Sequence, residues 1–531
     1  MKQKPDALNQ KDYIANLILL ALGVWFALFF IHEQQFTNLD QAKLVRYGEV
    51  IWEQKSVFTT NLFSYTHPDH PFINHHWGAG VVFYALHQWF GGLGALTIAG
   101  MLLNLAAFLF ILFHVNRFSN KWVNLLCAFF LLPLMASRLQ PRPEDFSILF
   151  FVLNSTMLYV WYNGMLKRKF LWVLPAIQLL WVNIHILFFL GLFLQGTILL
   201  QLLITKEKRH ELRFFAMVFF AGVVASFINP AFHKGVFYPL MIMGEIQYAV
   251  TENANFFKTH SSMGGTPRFI YYELALFLAL PVLYYWIKNP REALPDLYVI
   301  IWLLAFTFLF IYRIRANVFY AYMLLLAFAH LSGKLKAGWQ RNAKRAAIAG
   351  MLVLLLPAVF LRGSPYDPYH QGHFKPGIGV DPKMAGGAEY IRNFNIKGPV
   401  FNNFDIGDYL IYHLYPDWEV FVDSRPEAYP PEFFSEKLLP AFYGRDGWLT
   451  LSHEYRFNVV FLGFHSQVLP LVRHLYEDDG WFMAYNDDYT IIFLRRGPQN
   501  DHLVRHTILQ RRKMSEIVRN FQRSMERYRF Y

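Results

Sequence analysis

Apolar runs of roughly 16–20 residues recur between positions 13 and 361, separated by short polar or basic stretches; runs of that length predict membrane-spanning helices. The pattern places eleven spans near 13–31, 94–114, 122–136, 146–163, 170–183, 185–204, 214–228, 269–287, 296–311, 316–333 and 346–362. Segment 77–92 is also apolar, but Gly91, Gly92 and Gly94 break it and His76, His87 and Gln88 interrupt it, so it reads as an interfacial helix. Between it and the first run lies a long polar stretch, 37–77. There Asn38 and Gln41 stand in capping-box positions. Leu44, Val45, Gly48, Ile51 and Trp52 follow at helical spacing, giving a face suited to a membrane surface. Asp40 falls in the first turn of this helix, where the helix dipole favours a negative group by about 0.3–1 kcal/mol.

Beyond position 362 the pattern changes. Residues 363–387 are rich in Gly and Pro and read as a linker. Residues 388–495 then alternate short strands, near 400–403, 419–423, 458–463, 481–486 and 489–495, with helices near 388–394, 406–414 and 467–476. That order predicts a small α/β domain. Within the tail 496–531, residues 504–531 hold eight Lys and Arg against two Glu, and Met514, Val518, Phe521, Met525 and Tyr528 share one helical face. It reads as a basic amphipathic helix for an anionic membrane surface. The expected fold class is therefore a multi-pass α-helical membrane protein, with a transmembrane domain over 1–362, a long first outer loop at 32–93 and a C-terminal extracytoplasmic α/β domain.

Composition agrees with this pattern: 55% of the 531 residues are hydrophobic and 16% charged, well below the quarter typical of soluble domains. The first run follows Lys2, Lys4 and Lys11, is long for a signal-peptide core and lacks a small-x-small cleavage site, so it reads as a retained anchor. The distribution of basic residues sets the orientation. With the N-terminus inside, the inner segments carry 19 Lys and Arg, whereas the outer loops 32–93, 137–145, 229–268 and 312–315 carry 10 over more than twice the length. The loops just named and everything after 362 are then outside. The single cysteine, Cys127, excludes an intrachain disulfide. The net charge of +12 points to anionic lipid or an anionic substrate, and no nucleic-acid module is present.

Ionisable residues gather at the outer ends of the spans: Asp40 and Arg46; Asp69, His75 and His76; Arg138, Arg142, Glu144 and Asp145; Glu245 and Glu252; Arg313 and Arg315. A single arginine at a span end commonly snorkels to the surface. Two that flank Ile314 fit a phosphate site better, because each guanidinium fork can grip phosphate oxygens in pairs. Adjacent His75 and His76 would point about 100° apart on a helix, which argues against joint chelation of a metal. Asn183 and His185 form a polar turn between two spans and can satisfy backbone groups there. Asp423 and Arg425 either meet a ligand at a strand end or form an internal salt bridge.

The stretches FSYTHPDHPFINHHWG, RLQPRPEDFS and WVNIH, with an anchoring span leading to an early Asp in a long outer loop, resemble the GT-C superfamily of integral-membrane glycosyltransferases. VFNNFDIGDYLIYHLYP and VFVDSRPE resemble the end domain of bacterial members. The resemblance spans essentially the whole chain and includes the protein mannosyltransferase and aminoarabinose transferase types. It implies a polyprenyl-phosphate-sugar donor, a glycan, lipid or protein acceptor, and inverting transfer; no cofactor is expected and no residue is singled out as a metal ligand. Asp40 would be the catalytic base. Superfamily members often carry Asp-Asp or Asp-Glu there; this chain has Asp40-Gln41, so Glu144 or Asp145 would substitute for the second carboxylate. Arg138, Arg142, Arg313 and Arg315, with His75, His76 and His185, would bind substrate. The resemblance also leaves open a ligase using an oligosaccharide on a lipid diphosphate. A transporter or flippase is the rival from another class, although transporters put ionisable groups near the bilayer midplane and here they lie at span ends.

Overall fold

The structure is a computed structural model that describes residues 13–34, 40–245, 254–334, 337–361, 363–369, 375–464, 466–507 and 519. The expected cap, Asn38, and most of the basic tail lie outside these residues. The chain divides into two compact units, and the division does not follow the order of the sequence. One unit comprises Met1–His32, Thr97–Val236 and Val250–Gly377; the other comprises Glu33–Leu96, Phe237–Ala249 and Ile378–Tyr531.

The first unit is helical. Six helices among the described residues are long and apolar enough to cross a membrane: Leu93–Val115, Pro143–Tyr162, Ile186–Ile204, Pro267–Lys288, Ile314–Gly333 and Asn342–Phe360. The other expected spans fall on shorter helices, Tyr13–Leu28, Lys121–Met135, Val173–Ile184, Leu212–Ser226 and Leu297–Tyr312. Polar side chains within the bundle bond to one another. Gln195 Nε2 donates to Asn154 Oδ1 at 2.9 Å and Gln178 Nε2 to Ser226 Oγ at 3.0 Å, as required where no water competes. One helix starts earlier than expected. Pro143 opens it, and Glu144 and Asp145 sit in its first turn rather than in the preceding loop.

The second unit joins the polar loop after the first span to the C-terminal domain. Its sheet has the order β1 (Val400–Asn402), β2 (Val459–Gly463), β4 (Thr490–Arg495), β3 (Trp481–Asn486), with β1 parallel to β2 and the other pairs antiparallel. Strand β2 is buried on both faces, in keeping with its unbroken VVFLG run. Aromatic side chains dominate the core: Phe401, Phe421, Phe457 and Trp448 pack with ring centroids 5.1–5.7 Å apart. Such rings contribute about 1.5–3 kcal/mol each on burial.

Two expectations change here. The helix Asp40–Gln54 does not turn its apolar face outward; Leu44, Val45, Gly48 and Ile51 are buried against protein. Gly48 meets Gly80 of the Trp77–Phe90 helix so closely that a Cβ on Gly48 would lie 2.0 Å from the Gly80 carbonyl oxygen. Segment 419–423 is extended but is not a strand of the sheet. Its backbone bonds are taken elsewhere: Val420 N–H donates to Phe63 O at 3.0 Å and Tyr65 N–H to Val420 O at 3.3 Å. The Asn402 side chain accepts from Phe421 N–H at 2.9 Å and donates to Val422 O at 2.6 Å, Ser64 Oγ and Thr66 Oγ1 donate to Phe421 O, and Asp423 N–H donates to Tyr429 Oη. These partners meet the segment's backbone demand, so it needs no ladder.

Candidate functional site

The residues singled out in the sequence fall in two clusters of buried charge, one in each unit. In the helical unit, Glu144 is 2% exposed and receives two guanidiniums: Arg138 Nη2 at 2.9 Å and Arg315 Nη2 at 3.2 Å. The three groups together carry one net positive charge. Asp145, beside it, is committed to local structure. Its Oδ2 accepts from Arg142 N–H at 2.9 Å, and its Oδ1 accepts from Asn104 Nδ2 at 2.9 Å. Gly100 permits this approach, since a Cβ there would stand 3.0 Å from Asp145 Oδ2. Arg313 diverges from Arg315: its guanidinium lies 4.8 Å from the Tyr312 ring centroid, while Arg315 reaches Glu144.

His185 joins this unit through a hydrogen-bonded chain. The Trp181 indole N–H, which can only donate, bonds to Ser147 Oγ at 2.7 Å, and Ser147 Oγ lies 2.7 Å from His185 Nδ1. Ser147 Oγ thus accepts from Trp181 and shares a second hydrogen bond with His185 Nδ1, in which the donor depends on the histidine tautomer. The polar turn fits its expected place: the helix Val173–Ile184 ends at His185, whose backbone is extended. His75 and His76 lie in the other unit, just before the Trp77–Phe90 helix, with ring centroids 3.9 Å apart. Burial pulls His75 down to about 4. Among the described residues no group of three or more His, Cys, Asp or Glu side chains is arranged to hold a metal.

The second cluster is centred on Asp40 (Oδ1), whose side chain is 31% exposed. Ser424 Oγ lies 3.1 Å from Asp40 Oδ1 and 2.5 Å from Asp408 Oδ2. Lys43 Nζ donates to Ser424 Oγ at 2.5 Å and sits 3.2 Å from Asp408 Oδ2 and 3.9 Å from Asp40 Oδ1. Two carboxylates, a hydroxyl and an ammonium thus meet in one place, brought by the first turn of the Asp40–Gln54 helix, the Gly407–Leu414 helix and the turn after 419–423. Burial drives the Asp408 carboxyl up against the pull of Lys43, and the charges of Asp40 and Asp423 add to the rise, to about 7. Burial works against the Lys43 ammonium, but Asp408, Asp40 and Asp423 more than offset it and hold it above the ordinary lysine value.

Behind this cluster Asp423 and Arg425 form an internal bidentate pair. Arg425 Nε donates to Asp423 Oδ1 at 2.7 Å and Nη2 to Oδ2 at 2.6 Å; Nη2 also reaches Asn61 Oδ1 at 2.6 Å. Tyr429 Oη donates to Asp423 Oδ2 at 2.9 Å. Sequence reasoning had no role for Lys43, Asp408 or Ser424. The stretches that carry Asp408 and Ser424 were marked by resemblance, but nothing local distinguishes these residues from capping groups.

No protein-family model matches the sequence, and no curated protein matches it. Solved structures do. The archaeal oligosaccharyltransferase AglB from Archaeoglobus fulgidus, in complex with an inhibitory peptide and a dolichol-phosphate, superposes with a TM-score of 0.60 at 12% identity, over 92% of this chain and 75% of that one. ArnT from Cupriavidus metallidurans, bound to undecaprenyl phosphate, superposes with a TM-score of 0.51 at 12% identity, over 92% of this chain and 99% of that one. Its apo form gives 0.52 at 15% identity, over 91% and 97%. Identities this low speak for the fold alone, and the chain shares its fold with these two membrane enzymes, AglB and ArnT.

Proposed function

We propose that this protein is an inverting glycosyltransferase that moves a sugar from a polyprenyl-phosphate-linked donor to an acceptor hydroxyl at the outer face of a membrane. The observation that carries the proposal is Asp40: a partly exposed carboxylate opening the helix after the first apolar segment, in a chain with this fold, held by Lys43 and Ser424. As the acceptor oxygen attacks the anomeric carbon, Asp40 takes its proton, and the bond from that carbon to the lipid phosphate breaks with its electron pair leaving on the phosphate oxygen. Within the helical unit, Arg138 and Arg315, aligned by Glu144, are the groups suited to stabilising negative charge on a phosphate. Glu144 then acts as a positioning residue for the guanidiniums, and Asp145 as the cap of the helix that carries Glu144. ArnT bound to undecaprenyl phosphate and AglB with a dolichol-phosphate support a polyprenyl carrier. The higher superposition on AglB supports a second reading, transfer of an oligosaccharide from a lipid diphosphate.

The donor site is tested by Arg315→Lys, which keeps the charge and loses the planar fork. Affinity for polyprenyl phosphate, measured by competition with the donor, should fall about tenfold while the melting temperature holds. Unchanged affinity in Arg313→Lys, Arg315→Lys and the double variant would leave both arginines as membrane anchors.

The eleven spans, the cytoplasmic N-terminus and the extracytoplasmic α/β domain belong to the same proposal. The shorter helices complete the bundle by lying among longer neighbours, and the basic-residue distribution sets their direction. In a Cys127→Ser background, a cysteine at Asp488 should react with an impermeant maleimide added from outside intact cells. Labelling only after the cytoplasmic side is opened would reverse the topology and put Asp40 on the wrong face.

A further inference from the structure

The proposed base does not stand alone. Ser424 Oγ has one proton to give and two lone pairs to receive with, and its surroundings match that capacity. Lys43 Nζ donates to one lone pair at 2.5 Å, Asp408 Oδ2 lies 2.5 Å away on the accepting side, and Asp40 Oδ1 lies at 3.1 Å. Asp40 is 31% exposed on its side chain and Asp408 only 2%. The hydroxyl therefore bridges a carboxylate that an acceptor can reach and one that it cannot. We propose that Ser424 and Asp408 form a proton relay behind Asp40: the proton taken from the acceptor hydroxyl passes from Asp40 to Ser424 Oγ as the serine's own proton passes to Asp408, leaving Asp40 ionised again.

The relay rests on the reading of Asp40 as base and extends it. Bonds balance at each stage. The acceptor O–H breaks as Asp40 O–H forms, then Asp40 O–H and Ser424 O–H break together as Ser424 O–H and Asp408 O–H form. No charge is stranded, because Lys43 faces both carboxylates throughout. The remaining charged group facing Asp408 is Asp423, itself paired with Arg425, and its charge adds to the rise at Asp408. Burial, with Asp40 and Asp423 adding to it, raises Asp408 to about 7, which suits a group that must take up a proton and lose it again at neutral pH. Ser424 and Asp408 act through Asp40 and are positioning residues in this scheme.

The experiment is the pH dependence of the transfer rate, using purified full-length protein with a polyprenyl-phosphate-linked sugar in detergent or liposomes. Asp408 must be ionised to accept, so in the unaltered protein the rate should fall on the acid side with an apparent pKa near 7. In Asp408→Asn that acid limb should move to lower pH and the maximal rate should drop about ten- to a hundredfold. Ser424→Ala should lose a similar factor, and Ser424→Thr, which restores a hydroxyl, should recover most of it. Ser424 is part-buried, so its variants keep the test open if Asp408→Asn does not fold. An acid limb and maximal rate unchanged in both Asp408→Asn and Ser424→Ala would overturn the relay while leaving Asp40 as base. Full activity in Asp40→Asn would overturn the base and the relay with it.

Discussion

Asp40→Asn is expected to slow sugar transfer about 10²–10⁴-fold while moving the melting temperature little. The substitution is nearly isosteric. The Asn oxygen can still accept from Ser424 Oγ, which lies 3.1 Å from Asp40 Oδ1, and the ion contact to Lys43 that is lost is long, at 3.9 Å. Lys43 retains Asp408 and Ser424 as partners. What disappears is the oxygen able to take a proton. If Asp40 served only the dipole of its helix, the variant would lose about 0.3–1 kcal/mol of stability and keep its rate. Transfer by the purified variant, measured beside its thermal melt, separates the two. Near-normal turnover would rule out Asp40 and move the search for the base to Glu144 and Asp145.

The largest structural effect is expected at Arg425. It is 3% exposed and its partner Asp423 is fully buried. Three rings, of Tyr47, Phe63 and Phe72, surround the guanidinium with centroids 5.5, 5.6 and 5.0 Å from its carbon. Arg425→Met fills similar space but leaves the Asp423 carboxylate buried without its counter-charge, a change that costs about 3–5 kcal/mol. Adding Asp423→Asn should restore much of that, because removing both charges leaves no uncompensated ion. A melting temperature unchanged in the single variant would show that the pair does not hold the first loop to the α/β domain. The pair also has a pH signature. Burial pushes the Asp423 carboxyl up, but the Arg425 charge and hydrogen bonds more than offset this and hold it below the usual carboxylate range. Its contribution is therefore present above about pH 4 and is lost as the pH falls through its lowered value.

What the sequence determined by itself is local. Apolar length located the helices of the membrane unit, and hydrophobic alternation bounded by turns located all four strands, with 481–486 matching β3 to the residue. It also singled out Asp40, Glu144, Arg315 and His185, because charge at the edge of an apolar run is conspicuous within a short window. The tertiary structure alone decided which of these meet. Asp40 finds Ser424 across 384 positions, and Glu144 finds Arg315 across 171. Neutralising a buried charge has no period along a chain; any residue of opposite sign will serve, wherever the packing delivers it. Nothing along the chain therefore marked Lys43 or Asp408 as partners of Asp40. Segment 419–423 shows the same limit at the level of the backbone. Its apolar, β-rich pattern dictated an extended conformation correctly, but the choice of hydrogen-bond partner fell to the Asn402 side chain and to Phe63 and Tyr65 of the first loop. Conformation is set by each residue and its near neighbours, whereas pairing is set by whatever else must satisfy the same buried groups.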